Sequence, residues 1–186
     1  MLPGWNSGPD VWVVPIIFVL GAYTWAFFAA ARLGEMILDK LTAVRPRWPF
    51  VVRLLIMVIP MAAIAAVAEN VFLLTKAIAN IGTPNSLTLN SEVFWGWPLY
   101  NPLFFGLSYA AVAWLRWTRD EFGLTAVERG VQSYAPITSK RGLLLRLFAV
   151  FAFVQVSYIL LYFVPWNLLS LMHDPWPSLP SYFPVP

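Results

Sequence analysis

A glutamate and an asparagine stand side by side in a stretch that is otherwise almost entirely hydrocarbon. The stretch reads AAIAAVAENVFLLTKA over residues 62–77, and Glu69 and Asn70 lie in its middle. A carboxyl group in an apolar segment of this kind marks a candidate functional site, because an unpaired charge is costly in a membrane. The chemistry that it would support is proton transfer by general acid–base catalysis. Glu69 is therefore the candidate acid.

Two further groups of polar and aromatic side chains are expected at a similar depth. One group lies at the start of the third apolar segment and consists of Glu92, Trp95, Trp97, Tyr100 and Asn101. The other lies at the end of the fourth segment and consists of Asn167, His173 and Asp174. His173 beside Asp174 is a candidate base or proton relay, since imidazole titrates near neutral pH. Simpler roles are open for all of them. Glu69 would reach the head groups or pair with Lys76, His173 would cap a helix, the aromatic residues would form an interfacial belt, and the asparagines would join helices.

The composition is that of an integral membrane protein. Of the 186 residues, 60% are hydrophobic and only 11% are charged, whereas soluble domains are about a quarter charged. Four segments have the length of about 20 apolar residues that a bilayer requires, namely about 11–31, 50–75, 93–115 and 147–172. We therefore expect an all-α fold, with residues 1–186 forming a single membrane domain. It would be a polytopic helical bundle of four transmembrane helices in the cell membrane.

The positions of the basic residues predict the orientation of this bundle. Eleven of the 12 lysines and arginines fall in residues 32–53 and 116–146, and the remaining one is Lys76. By the positive-inside rule, both termini and the 76–92 loop are expected on the non-cytoplasmic side. Glu69 lies 19 residues beyond Phe50, or about 28 Å along a helix, which places it near the non-cytoplasmic boundary.

The same composition excludes several kinds of site. There is no cysteine and only one histidine, so thiolate metal sites, disulfides and paired histidine ligands cannot be formed by this chain. We accordingly expect no metal site. A net charge of +3 without a run of basic residues does not indicate nucleic-acid binding.

Two segments outside the predicted spans have a readable local structure. Thr125 and Glu128 have the spacing of a capping box, which predicts a short helix that begins after Thr125 and ends near Gly130 or a few residues beyond, in an otherwise solvated loop. The tail 173–186 carries five prolines, and it is expected to be extended and to lie across the outer face.

Three stretches together resemble the C-terminal half of the AveC-type spirocyclases, a family of bacterial polytopic membrane proteins. They are AENVFLL with WPLYNPLFFG, then WLRWTRDEFGLTAVERGV, and finally the long segment that begins LLLRLFAVF and ends in HDPWP. The RDE.G.T..ERG pattern in the loop and the terminal HDPWP are the most specific. Family members carry further transmembrane helices before this region. The resemblance therefore implies additional helices, from a preceding segment or from a partner subunit.

The resemblance implies a cofactor-independent cyclase or dehydratase that acts on a lipophilic hydroxyketone or polyketide-type substrate within the bilayer. That chemistry requires a proton donor, a base and a cavity that excludes water. On this interpretation Glu69, His173 and Asp174 are the catalytic groups. The expected substrate-binding residues are Asn70, Trp95, Trp97, Tyr100, Asn101 and Asn167.

Two other classes of function are open at the level of the sequence. In the first, the chain is a non-catalytic membrane subunit or lipid-binding bundle in which Glu69 and Asn70 fix the packing of helices. In the second, it is a small transporter with Glu69 as a proton-coupling carboxylate. The absence of an inverted repeat counts against a transporter.

Overall fold

The computed structural model describes residues 24–74, 80 and 82–173, and these residues are mostly helical, as predicted. The helices, in chain order, are α1 (Thr24–Val44), α2 (Phe50–Leu74), α3 (Asn101–Trp117), α4 (Lys140–Tyr158) and α5 (Val164–Ser170). A π-helical turn, Ile159–Phe163, joins α4 to α5, so the two form one continuous rod. Two short antiparallel strands, β1 (Thr88–Leu89) and β2 (Trp97–Pro98), form a hairpin between α2 and α3.

The central element is α3, which contacts α1, α2 and the α4–α5 rod. The core between α1, α2 and α3 is built mainly from alanine and methionine, with Met57, Met61 and Ala113 fully buried. Two glycines allow the helices to approach closely. A Cβ atom added to Gly34 would collide with the Cβ of Ala113, and one added to Gly106 would come within 2.8 Å of the backbone nitrogen of Ala62. Small residues of this kind are common where membrane helices pack together.

Two of the helices are long and apolar enough to cross a membrane, namely α2 and the Lys140–Ser170 rod. They correspond to the second and fourth predicted spans. None of the residues in the most apolar window of the rod is fully buried in the protein. One side of the rod packs against α3, and side chains on the other side, such as Phe148 and Leu160, are exposed. The predicted number of four spans and the predicted orientation stay predictions at this point.

The third predicted span begins later than expected. Helix α3 starts at Asn101 and not at Val93, because the preceding residues form turns and the β1–β2 hairpin. Pro102 suits the first turn of this helix, where its missing N–H is not needed. At 17 residues, α3 is about 26 Å long.

The first predicted span, 11–31, lies largely outside the described residues, as do most of the tail 173–186 and Lys76. What is described at the N-terminal end is α1, which continues beyond Ala31 to Val44. Its polar end is fixed to α3, since Glu35 accepts hydrogen bonds from Arg32 at 2.6 Å and from the Nε of Arg116 at 2.7 Å.

The short helix predicted after Thr125 is absent from the described loop, although the predicted bonds form. The carboxylate of Glu128 accepts from the backbone N–H of Thr125 at 2.8 Å and from its hydroxyl at 2.6 Å. The chain makes one turn over residues 126–130 and then a separate 3-10 helix, Val131–Ser133, because Gly130 between them adopts a left-handed φ of 95°. Glu128 also accepts from the Nε of Arg146 at 2.8 Å, and this bond ties the loop to α4.

The close approach of α2 and α3 generates a test of packing. Replacing Gly106 by valine is expected to lower the free energy of unfolding by about 1–3 kcal/mol, because the new side chain must displace the backbone of α2 at Ala62. The measurement is unfolding of the purified protein in detergent. The control is Ala63→Val on the exposed side of α2, for which little change is expected. Equal stability of the two variants would contradict the packing described here.

Candidate functional site

Glu69 lies inside the protein near the end of α2 and not on the exposed side of that helix. Buried residues on α2 recur every four positions, at Met57, Met61, Ala65, Glu69 and Leu73, so the glutamate occupies the stripe that packs against the rest of the bundle. Only 6% of its surface is exposed. The carboxylate is therefore held by the protein, and its partners decide what it can do.

Three neutral donors bind the Glu69 carboxylate. The side-chain amides of Asn80, at 2.8 Å, and of Asn101 donate to Oε1, and the indole Nε1 of Trp97 donates to Oε2 at 3.0 Å. A carboxylate has about four acceptor positions, so one position on Oε2 is left after these bonds. No cation is among the described partners, and the predicted partner Lys76 lies outside the described residues.

Each donor comes from a different part of the segment that connects α2 to α3. Asn80 precedes the hairpin, Trp97 belongs to β2, and Asn101 is the first residue of α3. The hairpin explains the position of Trp97, because the pairing of Leu89 with Trp97 fixes the strand just before α3 begins. One buried carboxylate thus fixes the loop and α3 to the end of α2.

Two buried polar atoms beside this carboxylate have no hydrogen-bond partner among the described residues. They are the hydroxyl of Tyr100 and the Oδ1 of Asn101. Asn101 is only 3% exposed, and its amide nitrogen is turned toward Oε1 of Glu69, to which it donates. Its oxygen is then left free. Unpaired buried polar groups are costly and uncommon, and one explanation for them is a site for a polar ligand.

The ring of Tyr100 is fixed from the other side by the α4–α5 rod. Its centroid lies 5.2 Å from that of Trp166 in an edge-on contact and 5.5 Å from that of Phe104. Trp166 in turn stacks on Tyr162 in the π-helical turn, at 5.9 Å. Such turns are frequent at functional sites. Here the turn contributes to the aromatic wall behind Tyr100.

The structure brings together only some of the predicted site residues. Glu69, Trp97 and Asn101 are in direct contact, and Tyr100 adjoins them. Asn70 donates to the backbone of Ala66 on its own helix, and Asn167, which is exposed, donates to that of Phe163. Both are therefore satisfied locally, away from the Glu69 carboxylate.

Three further predicted residues are not among the partners of Glu69 in the described part of the chain. Trp95 lies in the turn that leads to β2, and Asp174 is outside the described residues. His173 is exposed at the end of α5, where its Nδ1 lies 2.9 Å from the carbonyl oxygen of Ser170. Its described contact is that of a residue at a helix end. The base role predicted for His173 and Asp174 stays a prediction.

Sequence reasoning missed Asn80. It stands in a loop eleven residues beyond Glu69, and nothing in the spacing indicates that the chain folds back there. The bond depends on the course of the whole connection between α2 and α3. Among the described residues, no group of three or more histidines, aspartates or glutamates is arranged to hold a metal ion.

Comparison with known proteins gives one family. The family model described as Spirocyclase AveC-like matches residues 1–184, which is nearly the whole chain, and this confirms the resemblance that the motifs indicated. No curated protein and no solved structure matches the chain.

The bonds to Glu69 predict the effect of a change that preserves its shape. In Glu69→Gln the new amide nitrogen replaces one of the two carboxylate oxygens, so it faces the N–H of either Trp97 or an asparagine. Two hydrogen-bond donors then face each other with no acceptor between them. We expect the free energy of unfolding to fall by about 1–3 kcal/mol. Asn70→Ala is the matched control on the next residue, and it is expected to change stability by no more than about 0.5 kcal/mol. Chemical denaturation in detergent measures both. A Glu69→Gln variant as stable as the native protein would rule out a carboxylate held in this way.

Proposed function

We propose that this chain, which belongs to the AveC-like spirocyclase family, is a multi-pass membrane enzyme that closes or dehydrates a lipophilic hydroxyketone without a cofactor. The family suggests a cyclase or dehydratase role. The observation that supports a catalytic site at Glu69 is the pair of unpartnered polar atoms, on Tyr100 and Asn101, beside a buried carboxylate. A donor and an acceptor next to an acid–base group are what a substrate with hydroxyl and keto groups would require.

Formation of a spiroketal from a dihydroxyketone requires two additions and the loss of one water molecule. One hydroxyl adds to the carbonyl carbon and gives a hemiketal. Protonation of the hemiketal hydroxyl releases water and leaves an oxocarbenium ion, which the second hydroxyl traps as it loses its proton. One proton is supplied and one is recovered, so a single acid–base group can serve both steps.

Glu69 would serve that role through the acceptor position that remains on Oε2. Glu69 starts protonated at this position: it gives its proton to the keto oxygen as the first hydroxyl adds, and it takes up the proton of that hydroxyl. It then protonates the hemiketal hydroxyl, which leaves as water, and it recovers a proton from the second hydroxyl. In its ionised form it lies close to the developing oxocarbenium ion and stabilises that positive charge. The bonds from Asn80, Trp97 and Asn101 fix the position of the carboxylate, so little reorganisation is needed during the reaction.

Tyr100 and Asn101 would orient the substrate. The hydroxyl of Tyr100 donates to the keto oxygen, and Oδ1 of Asn101 accepts from a substrate hydroxyl. Both contacts satisfy atoms that have no partner in the described protein. Binding a ligand there recovers hydrogen bonds that the fold leaves unmade.

The membrane placement is part of the proposal. Four spans with both termini on the non-cytoplasmic side agree with the distribution of basic residues. The apolar, outward-facing surface of the α4–α5 rod is suited to lipid. A lipophilic substrate would enter from the bilayer, and the apolar surroundings would exclude water from the oxocarbenium ion.

A second candidate function is a non-catalytic membrane subunit or lipid-binding bundle. The observation that favours it is that all three described bonds of Glu69 are internal and join α2 to the following loop and helix. In that case the glutamate has a structural role only. Activity and stability must therefore be measured on the same variants.

Tyr100→Phe separates the two functions. Removing a buried hydroxyl that has no described partner is expected to leave stability unchanged or slightly raised. If the hydroxyl binds substrate, turnover falls about 10- to 100-fold, which corresponds to about 1.4–2.7 kcal/mol of transition-state stabilisation. The assay uses an achiral dihydroxyketone with the protein in membranes and resolves the product enantiomers, since spontaneous closure is racemic.

Asn70→Ala is the matched control, and it should retain the enantiomeric excess of the native protein. Glu69→Gln should lose that excess. A native protein that gives only racemic product would contradict the cyclase proposal for this substrate. Equal activity of the native and Tyr100→Phe proteins would show that the hydroxyl of Tyr100 does not bind the substrate.

The proposed orientation can be tested with single cysteines, because the native chain has none. Ser86 and Ser133 are exposed and lie in the two loops predicted on opposite sides. A membrane-impermeant maleimide added to intact cells is expected to label Ser86→Cys, and to label Ser133→Cys only after permeabilisation. The reverse pattern would invert the orientation, and labelling of both in intact cells would exclude the proposed topology.

A further inference from the structure

A cleft of about 320 Å³ lies between α1, α3, α4 and the 118–139 loop. It is at the end of α3 opposite the Glu69 carboxylate, since Arg116 lines the cleft and Asn101 binds Glu69. The 15 residues between them correspond to about 22 Å along the helix. The cleft is therefore separate from the candidate site described above, and the proposed reaction does not use it.

The lining of the cleft divides into an apolar part and a cationic part. The apolar part consists of side chains on three helices, including Phe27, Phe28, Val112, Val150 and Val154. The cationic part consists of Arg116, Arg119 and Arg146, with Glu128 as the one acidic lining residue. Glu128 pairs with Arg146 and Glu35 of α1 pairs with Arg116, so Arg119 is the lining cation whose charge no described residue offsets.

Arg116 and Arg146 are each held in place through one N–H group, and their other N–H groups make no described bond. Arg116 and Arg146 each use the Nε–H to bind a glutamate, Glu35 at 2.7 Å and Glu128 at 2.8 Å. These are their only recorded bonds to described residues, so the Nη groups that form the fork of each guanidinium are available. Arg119 is exposed and pairs with no described residue. A planar fork of this kind suits a carboxylate or phosphate.

Glu128 offsets the charge of Arg146, with which it pairs at 2.8 Å. Burial alone would raise the pKa of Glu128, but hydrogen bonds from Thr125 and the ion pair with Arg146 outweigh burial and lower it. The group is therefore an anion at neutral pH, with its charge directed to Arg146 and Thr125. The same loop stretch, RDEFGLTAVERG, contributes Arg119, Gly123, Thr125 and Glu128 to the lining. This motif has no role in the proposed reaction.

We propose that this cleft binds the anionic head group of an amphiphilic molecule, with the head at the arginines and its hydrocarbon chain against the apolar wall. The shared chemistry is a carboxylate or phosphate attached to an alkyl chain. Two sources supply such molecules, namely free long-chain acids and anionic membrane phospholipids. Cationic pockets between membrane helices are suited to both.

The test is a binding titration of the full chain in detergent, followed by native mass spectrometry. Palmitate and phosphatidylglycerol are the anionic probes, and methyl palmitate and phosphatidylcholine are their matched counterparts without net charge. We expect at least one anionic probe to bind about fivefold or more tightly than its counterpart. Palmitate as the tighter of the two anionic probes would identify a free acid as the ligand, and phosphatidylglycerol would identify a phospholipid.

Three variants locate the binding. Arg119→Gln removes a cation that no described residue pairs with, so it is expected to fold normally and to weaken the anionic probe about fivefold. Val150→Trp fills the apolar part and is expected to weaken binding without changing the charge. Arg141→Gln makes the same charge change at an exposed position outside the cleft, and it should bind as the native protein does.

Equal binding of the charged and uncharged probes would overturn the proposal. So would equal effects of Arg119→Gln and Arg141→Gln, because attraction to the general positive charge of the loop would then account for the binding.

Discussion

The carboxylate of Glu69 is the interaction on which the arrangement of the described chain depends. It accepts from Asn80 in the loop, from Trp97 in the hairpin and from Asn101 at the start of α3, and so it joins three segments to the end of α2. Burying a carboxyl group is costly unless hydrogen bonds compensate it, which explains why the chain between α2 and α3 folds back over Glu69. The late start of α3 follows from the same constraint, because the residues before Asn101 must form the hairpin that presents Trp97.

The rest of the bundle follows from how α3 is held at each end. Its first residue is fixed by Glu69, and Arg116 in its last turn is fixed by Glu35 of α1. Between these polar ends the helix is buried by contacts that only small residues permit, at Gly106 against Ala62 and at Ala113 against Gly34. Polar bonds at the ends and close packing in the middle suit a helix in lipid, where the hydrophobic effect does not drive helices together.

The sequence predicted the helical class and the whole of α2, because a long apolar run with flanking charges is a strong signal. It also singled out Glu69, Trp97 and Asn101 from their types and expected depth. It could not predict Asn80, since that contact depends on the path of a loop with no periodicity. The short helix after Thr125 was wrong for a local reason. The Glu128 bonds form as the spacing implies, but Gly130 ends the helical geometry after one turn. Asn70 and Asn167 were assigned to the site only from their expected depth in the membrane. In the structure their side chains donate to the backbone of their own helices.

The three hydrogen bonds to the Glu69 carboxylate can be explained without catalysis, because each of them stabilises the fold. Of the two unpartnered polar atoms beside this carboxylate, the hydroxyl of Tyr100 cannot be explained in this way. A phenylalanine at position 100 would keep the ring contacts with Trp166 and Phe104 and would avoid burying a hydroxyl without a described partner. The unpartnered Oδ1 of Asn101 is a different case. A side-chain amide that donates to Glu69 through its nitrogen must also carry this oxygen, so the oxygen is a consequence of that bond. The hydroxyl of Tyr100 is therefore the group that stability leaves unexplained, and a bound substrate would supply the missing partner for it.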